Sequence, residues 1–115
     1  MSSKSKRKGS RIEYEIAQRH MDAGISARRV PYSGAAGTLF PELTHLRGDV
    51  RILPDTPQEL TAEVKARANG TGFKTIEKWL GDNDVLFLWR DRRDPLIVLS
   101  WDVYLRLMQA YNGSL

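Results

Sequence analysis

The chain contains no cysteine. That excludes a disulfide framework and any thiolate metal site. Histidine is nearly as scarce, with only His20 and His45, too few to form a zinc cluster alone. Any metal must therefore be held mainly by oxygen ligands. No apolar run approaches the ~20 residues needed to cross a bilayer. The basic N-terminus has no apolar segment behind it, so neither a membrane span nor a signal peptide is expected. The chain reads as soluble and intracellular. A glycine-rich phosphate loop, a dinucleotide fingerprint, a nucleophile elbow and internal repeats are also missing, so no nucleotide cofactor is expected.

What is present fits one globular domain: 115 residues, 41% hydrophobic and 28% charged, enough for a single core but not two. The net charge of +4 is unevenly placed. Lys4, Lys6, Arg7, Lys8 and Arg11 precede any acidic residue and are interleaved with serines and glycine. Residues 1–9 read as a flexible basic arm, and residues 10–115 as the domain. Such an arm is either a solvated tail or a phosphate-neutralising, salt-sensitive nucleic-acid contact.

The most informative stretch runs from Arg47 to Ala66. Two β-capable segments flank a turn-rich Pro54-Asp-Thr-Pro-Gln58, so an antiparallel hairpin is expected. Alternation puts Val50 and Ile52 on one face of the first strand, and Leu60, Ala62, Val64 and Ala66 on one face of the second. Burying both apolar sets together fixes the register. Asp49 then stands across from Glu63, with Lys65 two positions along the same face. Facing carboxylates repel. A hard divalent cation that takes one or two carboxylates plus phosphate oxygens and waters would neutralise them, and Lys65 beside it would steady negative charge on a phosphate or hold an attacking water. A solvated ladder of charges has the same spacing.

An acid, a gap, then acid, any residue and lysine, all on a hairpin, resembles the PD-(D/E)XK nuclease superfamily. The three positions are Asp49, Glu63 and Lys65, and Gly48 stands where the superfamily often has proline. The resemblance implies metal-assisted phosphodiester hydrolysis with Mg²⁺, for which Mn²⁺ substitutes, bound by Asp49, Glu63 and the Val64 carbonyl.

Residues 10 to 23 predict a helix, capped by Ser10 and stopped by Gly24. Ser10-Arg-Ile-Glu13 fits a capping box; alternatively Glu13 faces the active site. Arg7-Lys-Gly-Ser-Arg-Ile-Glu-Tyr-Glu15 is similar to the N-terminal signature of archaeal-type Holliday-junction resolvases, in which a basic Lys-Gly pair precedes a catalytic glutamate. That position is Glu13. By order and setting, Ser33 matches a serine turn that approaches the DNA backbone in those enzymes. His20 and His45 read as structural and loop residues.

Farther on, Ala27 to Tyr32 predicts a strand, and residues 35–46 a long loop that grips substrate or joins a dimer contact. Arg67 to Gly72 reads as a flexible linker, and Phe73 to Leu80 as a helix stopped by Gly81. Val85–Trp89 and Leu96–Leu99 read as strands buried on both faces, and Ser100 caps a last helix with Tyr104, Leu107, Met108 and Tyr111 on one stripe. Trp79, Trp89 and Trp101 read as core or interface residues. The order α-βββ-α-ββ-α is that of a restriction-endonuclease-like α/β core, a central mixed β-sheet of about five strands flanked by helices.

The resemblance implies a structure-specific DNA endonuclease, a four-way-junction resolvase of recombination and repair, acting as a homodimer in the cytoplasm, nucleoid-associated or in a phage-infected cell. Its expected catalytic residues are Glu13, Asp49, Glu63 and Lys65, and its DNA contacts Lys6, Arg7, Lys8, Arg11, Arg29, Ser33 and Arg67. The alternatives are another DNA-processing nuclease or nickase of the superfamily, and a DNA-binding protein that keeps the fold without the chemistry.

Overall fold

A computed structural model describes residues 3–30 and 49–114, with side chains from residue 10 onward. Ser33, His45, the 35–46 loop and the side chains of Lys6, Arg7 and Lys8 lie outside the described residues. The chain forms two compact units, residues 1–66 and 67–115.

In the first unit, helix α1 spans Ser3–Asp22. It therefore begins seven residues before the expected cap at Ser10, and the segment expected as a flexible arm forms its first turns. Lysine and arginine are good helix formers, so a basic stretch joined to an amphipathic one propagates the same helix. The expected stop holds. Gly24 takes φ +82°, and the amides of Ala23 and Ile25 both donate to the His20 carbonyl at 3.0 and 2.9 Å, closing the helix end.

Strands β1 (Ala27–Arg29), β2 (Val50–Ile52) and β3 (Leu60–Ala62) form an antiparallel sheet in chain order. The register pairs Val50 with Ala62 and Ile52 with Leu60, as the apolar pattern requires. Val50 and Ile52 are buried beneath α1 with Ala17, Ile25, Ala27 and Val30. The apolar face of β3 is covered less completely, since Leu60 remains 41% exposed. Leu53 ends β2 with φ +56°. This left-handed turn is unusual for a branched residue, and it accompanies a side chain only 2% exposed. His20, 2% exposed, meets the Ile16 carbonyl through Nδ1 at 2.7 Å, so its role is structural.

The second unit contains α2 (Lys74–Leu80), β4 (Val85–Leu88), β5 (Leu96–Leu99) and α3 (Trp101–Gly113). Gly81 ends α2 with φ +52°. Ser100 caps α3 by accepting a hydrogen bond from the Val103 amide at 3.4 Å. On α3 the buried residues are Val103 and Met108, whereas Leu107 of the expected stripe is 55% exposed.

The order of elements is the expected one, but the expected mixed sheet of about five strands is absent among the described residues. The strands form a three-stranded and a two-stranded sheet, both antiparallel. Nor are β4 and β5 buried on both faces, because Phe87, Leu96 and Ile97 are exposed. Continuous apolar runs signal strands and do not specify which strand pairs with which.

Candidate active site

Among the described residues, Asp49 is the one buried acid. Its amide donates to the Ala62 carbonyl at 2.7 Å and its carbonyl accepts from the Val30 amide at 2.9 Å, so both neighbouring segments hold its backbone. Its carboxylate accepts a hydrogen bond from the Val64 amide through Oδ2 at 2.7 Å, the short geometry of a charge-assisted bond. The residue is 8% exposed. Oδ1 has no hydrogen bond among the described residues.

Glu63 and Lys65 were expected within a strand, with Glu63 paired across from Asp49. Strand β3 ends at Ala62, and the Asp49 amide turns to the Ala62 carbonyl, so the regular ladder stops one pair short. The Asp49 carboxylate competes for the Val64 amide, and this side-chain bond replaces ladder pairing. Glu63 still adjoins the Ala62–Val64 segment that holds Asp49. Its Oε1 meets Lys65 Nζ at 3.1 Å, with the side chains 59% and 63% exposed. Water screens this ion pair, so it adds little to stability and leaves both groups accessible.

Glu13 comes from α1. Its Oε1 accepts from Arg29 Nε at 2.8 Å, and Arg29 also donates to Ser10 Oγ at 2.9 Å while its guanidinium lies 5.2 Å from the Tyr14 ring centre. The capping box is therefore not formed: Ser10 lies inside the helix and serves Arg29 together with Glu13. The Glu13 carboxyl is pushed above its ordinary value of 4.5, first by burial. The Arg29 hydrogen bond opposes this, and the negative charges of Asp49 and Glu63 reinforce it. Three carboxylates, from the helix, the residue just before the central strand and the segment after β3, thus share one electrostatic neighbourhood.

Arg29, expected as a phosphate contact, holds the Glu13 carboxylate. Alternation along β1 gave its face, but its partner depends on how the helix crosses the sheet. On the same sheet, Arg51 pairs with Glu59. Arg11 and Arg67 are exposed.

The donor chemistry suits a hard cation. Asp49, Glu63 and the Val64 carbonyl offer oxygen only, and Mg²⁺ takes one or two carboxylates with waters and substrate phosphates. Among the described residues, no three His, Asp or Glu side chains are close enough to enclose a cation themselves. A Mg²⁺ site of this kind needs no such cage.

Acids on a helix and just before a strand, beside an acid-x-lysine segment, form an arrangement of the kind a nuclease site uses. A family model described as "Phage putative PDDEXK endonuclease" matches residues 4–110. The chain belongs to this family. The matched span includes Glu13, Asp49, Glu63 and Lys65. No curated protein and no solved structure matches the chain. Among the described residues, no helix is long and apolar enough to cross a membrane.

Proposed function

We propose that the protein is a Mg²⁺-dependent DNA endonuclease, with Mn²⁺ as a substitute, that prefers branched DNA and resolves four-way junctions in recombination and repair. The observation that supports the nuclease reading is the seating of Asp49 against Val64, beside Glu63 and Lys65, with Glu13 coupled electrostatically to both acids, while the junction preference rests on the likeness of residues 7–15 to the resolvase signature. Asp49, Glu63 and the Val64 carbonyl would hold the metal, with Glu13 completing the site, and the metal would supply Lewis-acid activation of the scissile phosphate.

The chain's own groups do the rest. Hydrolysis adds water to phosphorus and breaks the bond to the leaving sugar oxygen. Lys65, exposed on a four-carbon stem, reaches the phosphate to offset its growing charge or to orient the water. Arg29 holds Glu13 in place. Arg11 and Arg67, with Lys6, Arg7, Lys8 and Ser33, contact the DNA backbone and give no base specificity. One domain with one site cuts one strand per encounter, so symmetric junction cleavage calls for a homodimer. The setting is cytoplasmic, in the cell or during phage infection.

The test compares a labelled four-way junction with a linear duplex of the same sequence, in Mg²⁺ and in EDTA. Faster cleavage of the junction, and none in EDTA, is expected. Equal rates on both substrates would remove the junction preference and leave a nuclease. Binding in both buffers with cleavage in neither would favour a DNA-binding protein on this fold.

A further inference from the structure

The tip of the β4–β5 hairpin, Trp89-Arg-Asp-Arg-Arg-Asp-Pro95, contains none of the site residues above. Phe87 pairs with Ile97 across the ladder, and alternation brings Trp89 onto the face of Phe87. Trp89 is 74% exposed, more than any other large apolar residue described. Beside it is a groove of about 460 Å³ lined by Leu88, Trp89, Arg90, Arg93, Asp94 and Leu96. Arg90, Arg92 and Arg93 form no ion pair among the described residues, although Asp91 and Asp94 are sequence neighbours. Arg92 holds φ +64° in a turn closed by the Arg93 amide on the Arg90 carbonyl at 3.2 Å.

Arginine and aspartate are ordinary in a solvated turn, but Phe87, Trp89 and Ile97 exposed together on one face make an apolar patch of the kind that marks an interaction site. An exposed aromatic face among free guanidinium groups complements a polyanion that displays base faces. Paired bases hide those faces inside the stack; unpaired bases present them. A second copy of this chain fits less well, because a two-fold contact through the tip would bring two sets of unpaired arginines together.

We propose that the hairpin tip grips an unpaired DNA strand, with Trp89 stacking on a base and Arg90, Arg92 and Arg93 contacting the adjoining phosphates. This rests on the nuclease reading above and supplies it with a sensor for single-stranded segments at branches.

The test is fluorescence polarisation of the full chain in EDTA, with a labelled single strand and the blunt duplex of the same sequence, over a salt series. Trp89→Ala is expected to weaken single-strand binding about tenfold and duplex binding less, and Trp89→Phe to retain affinity within a few-fold. Combining Arg90→Ala, Arg92→Gly and Arg93→Ala should lower the slope of log affinity against log salt by about 2; glycine preserves the positive φ at 92. Unchanged single-strand affinity and slope in folded variants, or equal losses on both DNAs, would overturn the proposal. So would a Trp89→Ala change in sedimentation mass without a change in affinity, which would assign the tip to self-association. A wild-type chain that binds as expected but cuts nothing in Mg²⁺ would sink the nuclease reading while supporting the hairpin.

Discussion

The two units use similar amounts of apolar sequence to different ends. In residues 1–66, Ile25, Val30, Val50, Ile52 and Leu53 are buried, and the same packing encloses His20 and Asp49. Among the described residues from 67 onward only Val103 and Met108 are buried apolar side chains, while Trp79, Phe87, Trp89, Leu96 and Ile97 are exposed. Apolar composition alone therefore does not determine a core. A helix laid across a sheet gives the first unit a packed interior, which can fix a carboxylate to a few tenths of an ångström; a two-stranded ladder encloses little.

The largest effect that can sharpen this contrast is catalytic. Lys65 is exposed and structurally dispensable, so Lys65→Ala should lower cleavage by about 100-fold or more with no change in the denaturation midpoint. A comparable loss of stability would make Lys65 part of the framework.

Stability comes next. Leu53→Ala should cost about 2–5 kcal/mol in urea denaturation because it opens a cavity beneath the sheet. Phe87→Ala should cost about 0.5 kcal/mol, as befits an exposed site. Equal costs would show that the β4–β5 face is covered in solution, and the contrast would fail.

Glu13 offers a smaller, pH-dependent effect. Its folded pKa lies above 4.5. Its contribution to stability is thus fully present below the unfolded value and is lost as pH rises through the folded one. Arg29→Ala removes the group that opposes the upward shift, so the variant should lose more stability than wild type between acid and neutral pH. Glu13→Gln should flatten this dependence. Thermal midpoints over a pH series read both, and an unchanged profile in Arg29→Ala would separate the two residues. Smallest of all, Ser100→Ala should cost about 0.5 kcal/mol, since the cap bond to Val103 is long at 3.4 Å.

Local chemistry and the β2–β3 pairing were legible in the sequence, whereas contacts between elements distant in the chain were not. Gly24, Gly81 and Ser100 mark helix ends through backbone freedom or a side-chain acceptor, both properties of single residues. The β2–β3 register followed from Val50, Ile52 and Ala62, because a slip would have exposed them. Ser10 misled because its type suits a cap, whereas its partner proved to be Arg29, nineteen positions away. The grouping of strands into sheets was not readable for a similar reason: runs such as Val85–Leu88 declare strands without naming their neighbours. Of the candidate site, Asp49, Glu63 and Lys65 could be found by spacing. Arg29 as the support of Glu13 could not, since that bond depends on the crossing of α1 over β1.

Asp49 is held either for chemistry or for structure, and Asp49→Asn separates the two roles. The amide side chain can keep the hydrogen bond from Val64 through its carbonyl oxygen while losing the negative charge. With supercoiled DNA in Mg²⁺ and affinity measured separately in EDTA, a folded variant that binds DNA as wild type does and does not nick it is expected. Wild-type nicking by Asp49→Asn would contradict the chemical role and reduce Asp49 to a structural acceptor for the Val64 amide.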